Sequence, residues 1–301
     1  MIKSFTVTNP KGESLKLELT RPELSGLIVQ SIEGLGPAKA TINTGETATM
    51  DGSLFNSARA SNRNIVITLA LMFAPTVEDS RQKIYKYFPV KKRIRLDFET
   101  DRRSVYTYGY VESNEPAIFS SQETVQISVI CPDPFFYDIN PSMVDFYSIE
   151  PLFEFPFSNE SLSDSMLELS RLRLDSRINL SYSGDSDTGL KIVIHFSGSV
   201  KNVRLYNLTS GHSISINTDK VSDISGEALK NGDEIRISTI SGDLYAKLLR
   251  DGQFSNIIGS LEKNSDFFKV SNGDNIIAFT VDEGKNNLTI NFIYRNAYGG
   301  V

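Results

Sequence analysis

Tryptophan is absent from this chain, and among its 301 residues cysteine occurs once and histidine twice. A lone cysteine, Cys131, cannot form an internal disulfide, so packing alone has to hold the cores, and assembly in a reducing cytoplasm is compatible. Two histidines and one cysteine do not make a closed zinc site without carboxylates. The missing tryptophan weakens a sugar-stacking role, although 12 tyrosines and 18 phenylalanines remain. No stretch approaches the roughly 20 apolar residues of a membrane-spanning helix. The opening MIKSFTVTNPKGESLKLELT lacks the apolar run of a secretion signal. The expectation is a chain neither exported by that route nor embedded in a membrane. Without export, the acceptor triplets at Asn159, Asn207 and Asn287 carry no meaning.

What is present describes a folded protein. Hydrophobic residues make up 40% and charged residues 23%, too apolar for disorder. A net charge of −6 disfavours broad adhesion to nucleic acid or anionic membrane. The length of 301 residues suits two cores.

Alternation dominates the pattern. Leu15, Leu17 and Leu19, and again Ile94, Leu96 and Phe98, alternate with polar residues as half-wet strands do. Ile65 to Phe73 is apolar on both faces and predicts a buried central strand, and a strand over Thr124 to Ile130 closes the first half. One segment predicts a helix, from Val77 to Tyr87, with Thr76 as its cap, Glu78 and Asp79 in its first turn, Val77, Ile84 and Phe88 on one face, and Pro89 as its stop. Pro132, Pro134 and Pro141 end the first sheet, because proline cannot donate to a ladder. A first domain over residues 1–140 and a second over 150–301 follow. In the second, Phe153, Phe155 and Phe157, then Leu190 to Phe196, then Val203 and Leu205 alternate between Gly and Asn turns, which implies a β-sandwich. Ser163 to Leu174 fits a helix or a strand pair.

The search for chemistry returns little. His195 sits mid-strand between Ile194 and Phe196 and reads as structural, and Cys131 reads as a buried inert thiol. Gly34-Leu35-Gly36-Pro37 matches no phosphate-binding pattern and is a turn. Asp185-Ser186-Asp187 begins like a calcium loop but lacks the downstream glutamate. No catalytic residue, cofactor or metal site is expected. Lys91, Lys92, Arg93 and Arg95, with Arg102 and Arg103 across a hairpin, concentrate positive charge. Three readings stand: a solvated sheet edge, a surface meeting an acidic neighbour, or a DNA contact. The first two are favoured. Residues 34–62 lose periodicity and are rich in Gly, Thr, Ala and Ser, which suits either a long hairpin or a mobile loop.

Two sets of motifs carry a resemblance. One is DGSLFNSARASNRNIVITLAL from Asp51, then a helix, a basic strand and CPDPFFYD from Cys131. The other is Asn231-Gly232-Asp233, Ser265-Asp266-Phe267-Phe268, Asn272-Gly273-Asp274 and the ending YRNAYGGV. In this order the chain resembles phage distal tail proteins, the Dit family of siphovirus-type tails. The resemblance implies a mainly β fold, with an N-terminal split β-barrel-like domain carrying one helix and a C-terminal galectin-like sandwich. It also implies a hexameric ring that joins tail tube to hub, lets DNA pass, and binds the tube protein, the hub protein and other baseplate or receptor-binding proteins. Residues 36–62 become a belt reaching the neighbouring subunit, with Asp51, Gly52, Arg59 and Arg63 as ring contacts. A second domain of about 150 residues is too short for the large arm by which some relatives hold receptor-binding proteins. The alternative from another class is an adhesin whose second domain binds wall glycan, although a galectin-like shape is not itself evidence of sugar binding.

Overall fold

Strand alternation and a capped helix build the first part of the chain. The computed structural model describes residues 1–46, 51–72, 75–120, 122–151, 170–174 and 177–301, with backbone alone at 147–151 and 170–174. The chain divides into two units, Met1–Asn140 with Ala297–Val301, and Pro141–Asn296.

Unit 1 contains β1 (Ile2–Thr8), β2 (Ser14–Glu18), β3 (Leu27–Glu33), β4 (Ala40–Glu46), β5 (Ser53–Ala60), β6 (Arg63–Leu71), α1 (Val77–Tyr87), β7 (Arg93–Thr100), β8 (Ser104–Pro116), β9 (Thr124–Cys131) and β10 (Phe136–Asp138). The main path of its sheet runs β2-β1-β7-β8-β9-β6-β3, and β4 pairs only with β5. Phe5 and Val7, Ile94, Leu96 and Phe98, and Ile65, Ile67 and Leu69 are all fully buried, so one face of each strand makes the core. The other face of β6 is only partly buried at Val66 and Thr68, so that strand is not covered on both sides as its sequence suggests. Phe5 pairs with Phe98 across the ladder, and their rings stack at 6.0 Å. Gly109 on β8 is required by packing: a Cβ there would lie 2.4 Å from Val129 Cγ1 and 2.9 Å from Cys131 Sγ.

The helix has the expected bounds. The Thr76 hydroxyl accepts from the Asp79 amide, and the Asp79 carboxylate accepts from the Thr76 amide, a reciprocal cap of a kind that stabilises by about 1 kcal/mol. Ile84 and Phe88 are buried by the same stripe.

Unit 2 contains β11 (Ser142–Asp145), β12 (Tyr147–Pro151), β13 (Ser170–Leu174), β14 (Arg177–Tyr182), β15 (Lys191–Phe196), β16 (Lys201–Asn207), β17 (His212–Ile216), α2 (Thr218–Ser225), β18 (Glu234–Ser238), β19 (Tyr245–Arg250), β20 (Gln253–Asn256), β21 (Gly273–Glu283) and β22 (Leu288–Tyr294). A six-stranded sheet, β11-β22-β15-β18-β19-β20, and a four-stranded sheet, β14-β21-β16-β17, supply the buried residues of one core. Ile192 and Ile194 of β15, Val203 and Leu205 of β16, and Phe279 and Phe292 are among them. β12 and β13 pair with each other, which makes the end of the ambiguous segment a strand. The Phe153, Phe155 and Phe157 alternation and the rest of that segment to residue 169 lie outside the described residues. Helix α2 was not expected, and its signals are local: Asn217 caps the Lys220 amide, and Gly226 closes the end at φ +80°.

The last five residues, expected in the second domain, belong to unit 1. There β23 (Ala297–Tyr298) pairs antiparallel with β10, and Tyr298 joins the first core.

The turn Asn231-Gly232-Asp233 places an acid inside unit 2. Asp233 is 2% exposed and is gripped by Arg250 through Nε at 2.9 Å and Nη2 at 2.5 Å. Burial alone would raise its pKa, but hydrogen bonds from Arg250 and the Lys230 amide hold the carboxyl below its usual range. A depressed folded pKa means stability that is present above the unfolded carboxylate pKa of about 3.9 and is lost as pH falls through the folded value. Asp233→Ala is expected to cost about 3 kcal/mol at neutral pH, because it removes the buried carboxylate that Arg250 grips and leaves the arginine, among the described residues, only Glu227 at 3.7 Å as an acidic partner. Urea unfolding at pH 7 and pH 3 should show this loss shrinking in acid, and an equal loss at both pH values would contradict the ion-pair account.

Candidate assembly surface

The hairpin β4–β5 is exposed along nearly its whole length. Its register runs from Ala40 opposite Ala60 to Glu46 opposite Ser53, with a bulge between Asn43 and Thr44. Every residue of the two strands except Gly45 is exposed. Ile42 is 62% exposed, Leu54 54% and Phe55 67%. Cross-strand polar pairs hold it locally: Asn43 Nδ2 donates to Ser57 Oγ at 3.0 Å, and Thr41 and Ser61 hydroxyls bond at 3.0 Å. A two-stranded hairpin is marginal in water unless another surface packs on it. Of the expected contact residues, Asp51 and Gly52 lie exposed in the bend before β5, with Gly52 at φ +92°, and Arg59 is exposed near the root, opposite Thr41.

Arg63 does not belong with them. It opens β6, is 3% exposed, and directs its guanidinium inward over the Phe136 ring at 4.3 Å. Its Nη1 donates to the Gly34 and Gly36 carbonyls, its Nε and Nη2 to Pro134, and Nη2 also to Gly299, all between 2.5 and 2.9 Å. An arginine has five N–H groups, and five bonds to its own unit leave none for a neighbour. Burial lowers its pKa, while the charge fields of Cys131 and Asp133 oppose that shift. Arg63 is therefore corrected from a ring contact to a buried clamp at the hairpin root. Gly34, part of that root, has φ +82°, and a Cβ there would lie 2.0 Å from the Asn64 carbonyl oxygen.

The basic residues do not form one patch. Lys91 and Lys92 precede β7, whereas Arg102 and Arg103 lie in the turn after it, roughly 25 Å away at about 3.3 Å per residue. Arg103 stacks on Tyr298 at 4.2 Å. Arg95 is ion-paired to Asp97 at 2.5 Å and stacks on Tyr106 at 4.3 Å, while Arg93 stacks on Tyr108 at 3.9 Å. Tyr108 and Tyr110 are exposed beside them. The result is an outward stripe of stacked arginine and tyrosine, the two residue types enriched at binding hot spots. The alternation Tyr106, Tyr108, Tyr110 announced it in the sequence.

Groups suited to reaction chemistry are dispersed. Among the described residues no three His, Cys, Asp or Glu side chains gather to hold a metal ion. His195 points outward from β15, half exposed, with Nδ1 at 3.1 Å from Glu234 Oε2. With Lys191, Arg236, Tyr245 and Asn291 these two line an open groove of about 530 Å³ on the six-stranded sheet. His212 pairs with Asp266 at 3.1 Å on the surface. No helix among the described residues is long and apolar enough to cross a membrane.

No family model matches the chain, and no curated protein sequence does. Solved structures do. The SPP1 Dit protein (gp 19.1), described as a paradigm of the hub adsorption apparatus of phages infecting Gram-positive hosts, superposes with a TM-score of 0.64 at 14% identity, over 97% of this chain and 98% of that one. A chain of the phage P2 baseplate, in its activated conformation with calcium, gives a TM-score of 0.51 at 9% identity over the full length of both. The chain thus has the fold of these tail proteins.

Cys131 is fully buried, and burial raises its thiol pKa to about 11. At pH 8 a thiol reagent is expected to label it only as fast as unit 1 unfolds. Rapid labelling without denaturant, at the rate of a free thiol, would show the site to be open.

Proposed function

We propose that this protein is a structural component of a phage or phage-like tail, a distal tail protein whose copies close a six-fold ring at the end of the tail tube. The observation that carries this reading is the β4–β5 hairpin, which presents Ile42, Leu54 and Phe55 to solvent. The full-length likeness in fold to SPP1 Dit supports it. Covering each such apolar side chain stabilises by about 1.5–3 kcal/mol, so a neighbour seated on the hairpin gains what the isolated chain lacks.

The mechanism is geometric. One surface of each copy meets a different surface of the next, and this heterologous contact closes around an axis and leaves a passage for DNA. The tube protein binds one face of the ring, the hub protein the other, and further baseplate or receptor-binding proteins attach outside. No bond is made or broken, and no cofactor or metal takes part. Assembly in the host cytoplasm and residence at the tail tip follow. The stripe of Arg93, Tyr108 and Tyr110 fits an acidic surface of an adjoining subunit better than DNA, because Arg95 is already neutralised by Asp97. A second reading rests on the groove around His195 and Glu234, whose hydrogen-bonding groups beside Tyr245 suit a glycan. Saturable binding of soluble wall glycan by a monomer would favour it.

Light scattering of the purified protein is expected to reveal a species six times the 33.5 kDa chain mass, and a monomer at every concentration would overturn the ring. Two substitutions separate contact from clamp. Arg59→Glu is expected to leave unfolding within about 0.5 kcal/mol of wild type while the ring dissociates. Arg63→Met removes five charge-assisted bonds and is expected to destabilise unit 1 by at least about 3 kcal/mol, measured by urea unfolding. The opposite ranking in stability would reverse the two assignments.

A further inference from the structure

The ending YRNAYGGV has a role that the ring reading does not use. Tyr298 pairs with Phe136, is 8% exposed in the unit 1 core, donates its hydroxyl to Asp138 at 3.2 Å and lies under Arg103. The Gly299 carbonyl accepts from Arg63 at 2.6 Å, and the Val301 amide donates to the Leu35 carbonyl at 3.0 Å. Gly300 runs so close that a Cβ would sit 3.1 Å from the Leu35 carbonyl oxygen. These acceptors and donors flank the point where the chain leaves β3 for the hairpin. The same guanidinium that holds Gly299 also holds the carbonyls of Gly34 and Gly36 on either side of Leu35.

We propose that unit 1 carries a peptide-binding site whose ligand is the chain's own segment Ala297–Val301, and that its docking fixes the root of the β4–β5 hairpin. The ligand is an extended, glycine-containing strand, added to β10 through main-chain bonds and anchored by one aromatic side chain. A side chain at Gly300 would crowd the Leu35 carbonyl as the backbone passes it. Arg63 couples the two events: it is buried, and no described carboxylate forms an ion pair with it, so each carbonyl it loses leaves its charge less well solvated. Resting on the ring reading, the site makes hairpin-dependent assembly depend on the docked segment.

The test uses three forms of the protein: the full chain, a chain ending at Asn296, and the full-length variant Gly300→Val, which retains every residue should the truncation fold poorly. Amide hydrogen exchange is read at residues 35–46 and light scattering follows assembly. Both altered chains are expected to exchange at least tenfold faster at the root and to lose the ring, with amides of β15 and β18 unchanged. Adding the free peptide AYGGV to the truncated chain is expected to restore protection in a saturable manner, and the peptide AYGVV is not. Root protection equal to the full chain in both altered forms would overturn the site. A monomeric full chain whose root protection still depends on the pentapeptide would sink the ring reading while leaving the site standing.

Discussion

A single buried guanidinium determines how unit 1 is tied together. Arg63 draws three segments far apart in sequence, the 34–36 turn, the Pro134 loop and the chain end at Gly299, to one point over Phe136. Carbonyl oxygens rather than a carboxylate surround it, so the charge is solvated by dipoles that only the folded chain brings together. Such a centre tolerates little substitution, because lysine is a point charge without the planar fork that reaches four carbonyls at once. The core beneath it is ordinary by comparison, with Phe98 between Phe5 and Phe136 at ring distances of 6.0 and 5.8 Å.

The two units solve the same problem differently. Unit 2 has its own polar anchor in Asp233 and Arg250, and there the charges cancel. Its aromatic centre sets Phe146 against Phe279 and Phe292 at 4.9 and 5.5 Å. Unit 2 comprises Pro141–Asn296, whereas unit 1 includes Ala297–Val301.

Much of this was legible in the residues. The helix is framed by its cap and Pro89, and strands such as β7 and β15 reveal themselves by alternation, because a half-buried strand must alternate. The hairpin was legible only as an aperiodic stretch, since a strand with both faces wet has no hydrophobic period. Arg63 misled for a physical reason: arginine in a polar stretch reads as surface, and nothing in the sequence reveals that four carbonyls converge on it. Arg102 and Arg103 misled differently, because proximity in a hairpin depends on which end of each strand a residue occupies. Helix α2 escaped through its shortness, although Asn217 and Gly226 marked both ends.

The bulge between Asn43 and Thr44 bears on how the exposed hairpin avoids pairing with another copy of itself. A free two-stranded ribbon has two open edges, each a template on which an identical ribbon adds at high concentration. A bulge twists the ribbon away from flat stacking, and the abundance of Thr, Ser and Asn in both strands keeps it from forming a dry zipper. Leu54 and Phe55, adjacent in sequence and near the tip, are apolar exceptions, as is Ile42 in β4. Resistance to edge-to-edge pairing is thus written into the same residues that make the hairpin look featureless.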